Sequence, residues 1–173
     1  MLKFKMKNDY VYDLTLSYNK SKLLKEFEMY SLRPRGTAWL TRDIFNSSYE
    51  HLLNKIPEVN RVKNQVYKLI GDYPSTGVRW LCQKRNEIGN WHFDKKTKCS
   101  INIILSDKIG PIEFRKIGKI NYTCAIINTH KEHMIPKINE TRILLMFRIK
   151  ELTYEEAVNK IKQNESLIHD HRQ

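Results

Sequence analysis

His92 and Asp94 flank a single residue, His133 follows Asp94 by thirty-nine positions, and Arg142 follows His133 by nine. In a β-strand, residues i and i+2 project to the same face, so this H-x-D pair predicts two donors that can grip one ion. A histidine from a distant strand completes a set of two imidazoles and one carboxylate. That set suits non-haem Fe(II) and leaves coordination positions open for oxygen chemistry. An arginine close behind the third donor supplies a planar fork that pairs with an organic acid's carboxylate. Metal plus acid-binding arginine amounts to a mechanism. The competing reading of His92 and Asp94 is an exposed strand edge that pairs with the many neighbouring lysines.

The elements that must hold these groups divide into a helical first part, over 1–74, and a strand-rich part, over 75–150. Leu23, Phe27 and Tyr30 predict a short helix, and Arg33-Pro34-Arg35-Gly36 reads as a breaker. Tyr49, Leu52, Leu53 and Ile56 form an apolar stripe stopped by Pro57, and Val59, Val62, Val66 and Leu69 form a second. Both stripes read as core packing. Beyond Pro74 the period becomes two: Val78, Trp80 and Cys82 alternate with Arg79, Leu81 and Gln83. Apolar runs at 99–105, 111–115, 122–129 and 142–149 predict further strands, and this pattern fits a sandwich or a jelly-roll barrel. On the last of them Arg142, Leu144, Met146 and Arg148 share a face. Thr153 and Glu156 form a capping box that opens a final helix to about residue 163, followed by a frayed tail. The expected class is α+β with a mainly β core, in one domain, with N-terminal helices and a C-terminal helix.

From 91 to 149 the chain reads WHFDKKTKCSINIILSD, then GPIEF, then TCAIINTHKEHMIPKINETRILLMFRI. This third of the sequence resembles the 2-oxoglutarate, Fe(II)-dependent dioxygenases, and among them the aspartyl/asparaginyl β-hydroxylase family and its small relatives. The resemblance implies a double-stranded β-helix, a cupin-like jelly roll with the metal in its mouth. It further implies Fe(II) on His92, Asp94 and His133, with 2-oxoglutarate as cosubstrate and O2 as oxidant. Arg142 would bind the distal carboxylate of 2-oxoglutarate, and the product would be an alcohol on an amino acid or a peptide side chain.

His130 competes with His133 for the third position. The nine-residue step to Arg142 and the preceding Asn128-Thr129 match the family's pattern and favour His133; His130 would then contact substrate or support the site. Asn102 falls where the family carries a cosubstrate-binding side chain, although the family often has Arg there, and Ile104 stands where it has His. A strand-edge polar residue is the alternative for Asn102. Arg142 to Arg148 also resembles the R-x-x-x-x-x-R segment of AlkB-type nucleic-acid dealkylases, though their separation between histidine and arginine is longer. A third alternative is a non-catalytic jelly-roll binding protein.

The 31 basic and 19 acidic residues give a net charge of +12, so the surface field attracts anions, nucleic acid among them. The lysines are scattered along the chain, which equally suits simple solvation. No apolar run approaches the roughly 20 residues of a membrane span, and no secretory signal is visible. Cys82, Cys99 and Cys124 lack metal or disulfide spacing and read as buried thiols in a reducing cytoplasm, where Fe(II) is also stable.

Overall fold

A computed structural model describes residues 9–29, 33–35, 39–43, 55–71, 77–106 and 110–170. Its strands are β1 (Val11–Asp13), β2 (Arg33–Arg35), β3 (Trp39–Asp43), β4 (Gly77–Gln83), β5 (Cys99–Ile104), β6 (Gly110–Phe114), β7 (Gly118–Tyr122), β8 (Cys124–Ile127), β9 (His133–Met134) and β10 (Arg142–Ile149). The helices among the described residues are α1 (Lys20–Glu28), α2 (Pro57–Ile70) and α3 (Tyr154–Asp170). β1, β8, β5, β10, β4, β3 and β2 form, in that order, a seven-stranded sheet, and β7, β6 and β9 form a three-stranded one. All the strand pairings are antiparallel. The result is a β-rich α+β fold.

Strands buried on both faces read as nearly continuous apolar runs, and β4, β5, β8 and β10 do so because each face packs against something different. Val78, Trp80, Ile101, Ile103, Ile126, Leu145 and Phe147 join one core with the helices, which contribute Leu23, Val59, Val62, Val66, Ala157 and Ile161. The alternate residues Leu81, Ile104, Ala125, Ile127 and Leu144 form a second core with Ile112, Phe114 and Tyr122 of the small sheet. The two sheets therefore face one another, and a cavity opens between them.

Several expectations need correction. The first part of the chain is not only helical, because β1 pairs with β8 through Val11 and Ile127. Arg33–Arg35 does not merely interrupt the chain: it pairs with β3 at the sheet edge, where a proline removes no ladder bond that a further strand needs. Most of the apolar stripe over 47–56 lies outside the described residues. Pro57 begins α2, since a first-turn position has no intrahelical partner to lose. The run 122–129 is split by Thr123 between β7 and β8. The capping box forms as expected, with Glu156 N–H donating to Thr153 Oγ1 at 3.2 Å and Thr153 N–H to Glu156 Oε2 at 2.7 Å. Its helix, however, continues to Asp170, and just past residue 163 Asn164 Nδ2 donates to the Leu69 carbonyl at 2.8 Å, which ties this helix to the end of α2. The three cysteines are free and buried, and burial pushes the thiols of Cys99 and Cys124 up to about 12. No helix among the described residues is long and apolar enough to cross a membrane.

Candidate functional site

H-x-D does not lie on a regular strand. His92 forms an isolated bridge with His133, in which His92 N–H donates to the His133 carbonyl at 2.9 Å and His133 N–H to the His92 carbonyl at 2.8 Å. Asp94 N–H donates to the Thr129 carbonyl at 2.9 Å, and Gly89 N–H to the Ile135 carbonyl at 2.9 Å. The loop after β4 is thus laced to the segment around β9, and two histidines distant in sequence become neighbours with ring centroids 4.4 Å apart.

Each ring is locked at one nitrogen. His92 Nδ1 lies 2.8 Å from the Asn90 carbonyl, and His133 Nδ1 lies 2.8 Å from the Lys131 carbonyl. A carbonyl only accepts, so Nδ1 carries the hydrogen in both, and in the neutral ring Nε2 holds the lone pair. This is the tautomer by which an imidazole binds a metal through Nε2. Burial holds the His133 imidazole below its ordinary value; His92 acts the same way, while the Lys131 carbonyl and Asp94 oppose it.

His92, Asp94, His133 and Asn102 line one cavity of about 590 Å³ between the sheets. Among the described residues, no three His, Cys, Asp or Glu side chains are grouped tightly enough to hold an ion as they stand. The donor types and the tautomers fit Fe(II), and side-chain rotation would have to draw the three together. His130 is exposed, on the turn after Thr129, and does not line the cavity.

Arg142 is buried at the other end of β10's inner face and lines a separate cavity of about 250 Å³. Its Nη1 donates to the Pro111 carbonyl at 2.7 Å. Burial pushes its guanidinium below the ordinary value, and neighbouring Tyr122 opposes that. Tyr122 lines the larger cavity and accepts a bond from Asn102 Nδ2 at 3.2 Å, which leaves Asn102 Oδ1 buried without a partner. Tyr122 therefore stands between Arg142 and the cavity that holds the histidines. The sequence reading passed over it, although its alternation with exposed Lys119 and Asn121 marks it as inward-facing. The inward placement of Leu144, Met146 and Arg148 agrees with their shared strand face.

The sequence matches no protein-family profile and no curated protein. Solved structures do share the architecture. HygX from Streptomyces hygroscopicus, solved with nickel, 2-oxoglutarate and hygromycin B, superposes with a TM-score of 0.58 at 8% identity, over 88% of each chain. An oxidoreductase of the 2OG-Fe(II) oxygenase family from Burkholderia pseudomallei gives 0.57 at 11% identity, over 84% of this chain and 87% of its own. The viral collagen prolyl hydroxylase vCPH of Paramecium Bursaria Chlorella virus-1, solved as a 2-oxoglutarate complex, gives 0.50 at 16% identity, over 80% of this chain and 93% of its own. This chain has a fold that 2OG-Fe(II) oxygenases use. At such identities the likeness speaks for fold alone, and function is argued from the site.

Proposed function

We propose that this chain is an Fe(II)- and 2-oxoglutarate-dependent dioxygenase, built on a double-stranded β-helix, that hydroxylates an amino acid or a peptide side chain. One observation carries the reading: two histidines with Nδ1–H fixed on backbone carbonyls share a cavity with Asp94, on a fold that such oxygenases use. His92, Asp94 and His133 would hold the metal. Arg142 would take the distal carboxylate of 2-oxoglutarate, because a buried guanidinium gains charge-assisted bonds when a carboxylate reaches it.

Bound there, Fe(II), 2-oxoglutarate and O2 supply the oxidising chemistry that turns a substrate C–H into C–OH, with succinate and CO2 as co-products. The chain's own groups orient and shield. The Asn90 and Lys131 carbonyls fix the ring planes, and the burial of His133 favours the neutral form a ligand needs. Turned over, the Asn102 amide would accept from the Tyr122 hydroxyl and offer Nδ2 to a carboxylate. Leu81, Ile112, Ile127 and Leu144 exclude water from the cavity walls. The resemblance to aspartyl/asparaginyl β-hydroxylases rests on the motifs of 91–149, and it suggests a free amino acid or an Asp, Asn or Pro side chain as substrate. The three free thiols and the proposed Fe(II) both suit the reducing cytoplasm.

An anaerobic titration of the Fe(II)-loaded protein with 2-oxoglutarate tests this through the visible charge-transfer band of the ternary complex. The band should appear and saturate. A protein that binds no Fe(II), or binds it without a band at any cosubstrate concentration, is not this kind of enzyme.

A further inference from the structure

The inner face of β10 carries an arginine at each end. Arg142 sits at one end, and Arg148, six residues on, stands roughly 20 Å along the same face at about 3.4 Å per residue. The proposed reaction uses Arg142 and leaves Arg148 without a task. Arg148 is half-buried and lines the cavity that holds the histidines. Its Nε donates to Thr97 Oγ1 at 3.2 Å, which fixes one edge of the guanidinium and leaves the Nη edge for a ligand.

Ser100 lies directly opposite Arg148 in the register of β5 with β10. It lines the same cavity, has no solvent exposure, and its Oγ has no hydrogen-bond partner. A buried hydroxyl left unmatched is destabilising, so its presence beside a guanidinium in a cavity calls for a ligand. Lys95 and Lys96 also line the cavity, and Asp94, the one carboxylate among the described lining residues, is already assigned to the metal.

We infer that Arg148 and Ser100 form the subsite for a carboxylate of the primary substrate, with Lys95 and Lys96 drawing the anion in. A fork and a hydroxyl across adjacent strands match the planar, two-oxygen geometry of a carboxylate. The groups lie inside a cavity of about 590 Å³, a size for a small molecule or one side chain, and not along an open track that a polyanion would follow. The inference rests on the oxygenase reading for what happens next to the substrate, but the binding itself is separable from catalysis.

The test uses the N-acetyl derivatives of the standard amino acids, each as the free acid and as the matched carboxamide. Binding is read as the shift in thermal unfolding midpoint, on the anaerobic protein loaded with Fe(II) and 2-oxoglutarate and again on the metal-free protein. At least one free acid should bind about tenfold or more tightly than its amide, a difference of roughly 1.4 kcal/mol. Arg148→Ala and Arg148→Gln should each erase that preference, and Ser100→Ala should weaken acid binding several-fold while leaving the unliganded protein no less stable. The 2-oxoglutarate charge-transfer band should be unchanged in all three variants. Acids and amides that bind alike or not at all would overturn the inference, as would Arg148 variants that keep the preference. Loss of the band in Arg148→Ala would instead place the cosubstrate on Arg148. Tight binding of a short oligothymidylate in place of every acid, lost on Arg148→Ala, would assign the subsite to nucleic acid. A wild-type protein without the band, but with an acid preference that depends on Arg148, would sink the oxygenase reading and leave the subsite standing.

Discussion

Gly110 opens β6 directly against Arg142: a Cβ at that position would stand 2.5 Å from Arg142 Cδ and 2.7 Å from its Nη1. The glycine is there for room, because no other residue lets the guanidinium pass to the Pro111 carbonyl. Gly110→Ala should therefore displace Arg142. Overpacking of this kind is destabilising by roughly 1–3 kcal/mol, and the flexible arginine should keep the loss at the lower end. Affinity for 2-oxoglutarate should fall by about threefold, short of the roughly ten- to hundredfold expected from Arg142→Ala if a charge-assisted bond worth about 1.5–3 kcal/mol is lost. Arg142→Lys should recover part of the loss, since an ammonium keeps the charge without the two-point fork. Fe(II) affinity without cosubstrate should stay near wild type in all three. Unchanged 2-oxoglutarate binding in Arg142→Ala would remove Arg142 from the cosubstrate site.

The histidines separate by a second set of variants. His92→Ala, Asp94→Ala and His133→Ala should each abolish tight Fe(II) binding, read by anaerobic equilibrium dialysis. His130→Ala should leave it intact, because the His130 side chain is exposed and outside the cavity. Loss of iron in His130→Ala with retention in His133→Ala would exchange the two assignments.

Scarce residue types at specific spacing led the sequence to group His92, Asp94, His133 and Asn102, and these four line one cavity, whereas Arg142, grouped with them by the same spacing, lines another. The alternation along β10 likewise put Arg142, Leu144, Met146 and Arg148 on one face, and the last three line that cavity. What escaped was set by partners remote in sequence. β1 is three residues long and exists because Val11 has Ile127 to pair with. The pairing of His92 with His133 joins an irregular loop to the two-residue β9, and no local propensity encodes it. Beyond residue 163, Asn164 of α3 reaches the end of α2, a contact no pattern within α3 announces.

Glu26 illustrates the same dependence and yields a stability prediction. The buried α1 carboxylate accepts from Glu58 N–H at 2.7 Å and from Val59 N–H at 2.9 Å, the first backbone donors of α2 after Pro57. Ile56 provides no side-chain cap, so Glu26 takes over that role from another helix and meets the positive end of the α2 dipole. Burial pushes its carboxyl above the ordinary value, while the two N–H groups hold it down. Glu26→Ala should strand both donors and reduce stability by about 2–4 kcal/mol, read by chemical denaturation. Glu26→Gln should fall between, because its amide NH2 would face one N–H donor with another. A loss below about 0.5 kcal/mol in Glu26→Ala would mean that water replaces the carboxylate there.

The neighbouring Glu58 is shifted the other way, and this gives the acid limb of stability a definite sign. Arg61 holds the Glu58 carboxyl below its usual value near 4.5, burial opposes that, and the Asn19 N–H, donating at 2.6 Å, adds to the lowering. Arg61 reaches it with Nε at 3.0 Å and Nη2 at 2.6 Å. As pH falls below about 4.5, the unfolded chain takes up a proton that the folded carboxylate resists. The contribution of Glu58 is therefore fully present above that pH and disappears as the folded carboxyl is itself protonated. The Arg61 side chain is 46% exposed, so solvent screening limits the ion pair, and the total is about 1 kcal/mol or less. Glu58→Gln keeps the shape and removes the titration. The difference in unfolding free energy between wild type and Glu58→Gln, measured from neutral pH to pH 3 on metal-free protein, should be largest near neutrality and close towards zero below pH 4.5. Taking the difference cancels the other carboxylates. A gap that stays constant across this range would show that Glu58 contributes through packing, and that its charge on Arg61 and the Asn19 N–H adds nothing.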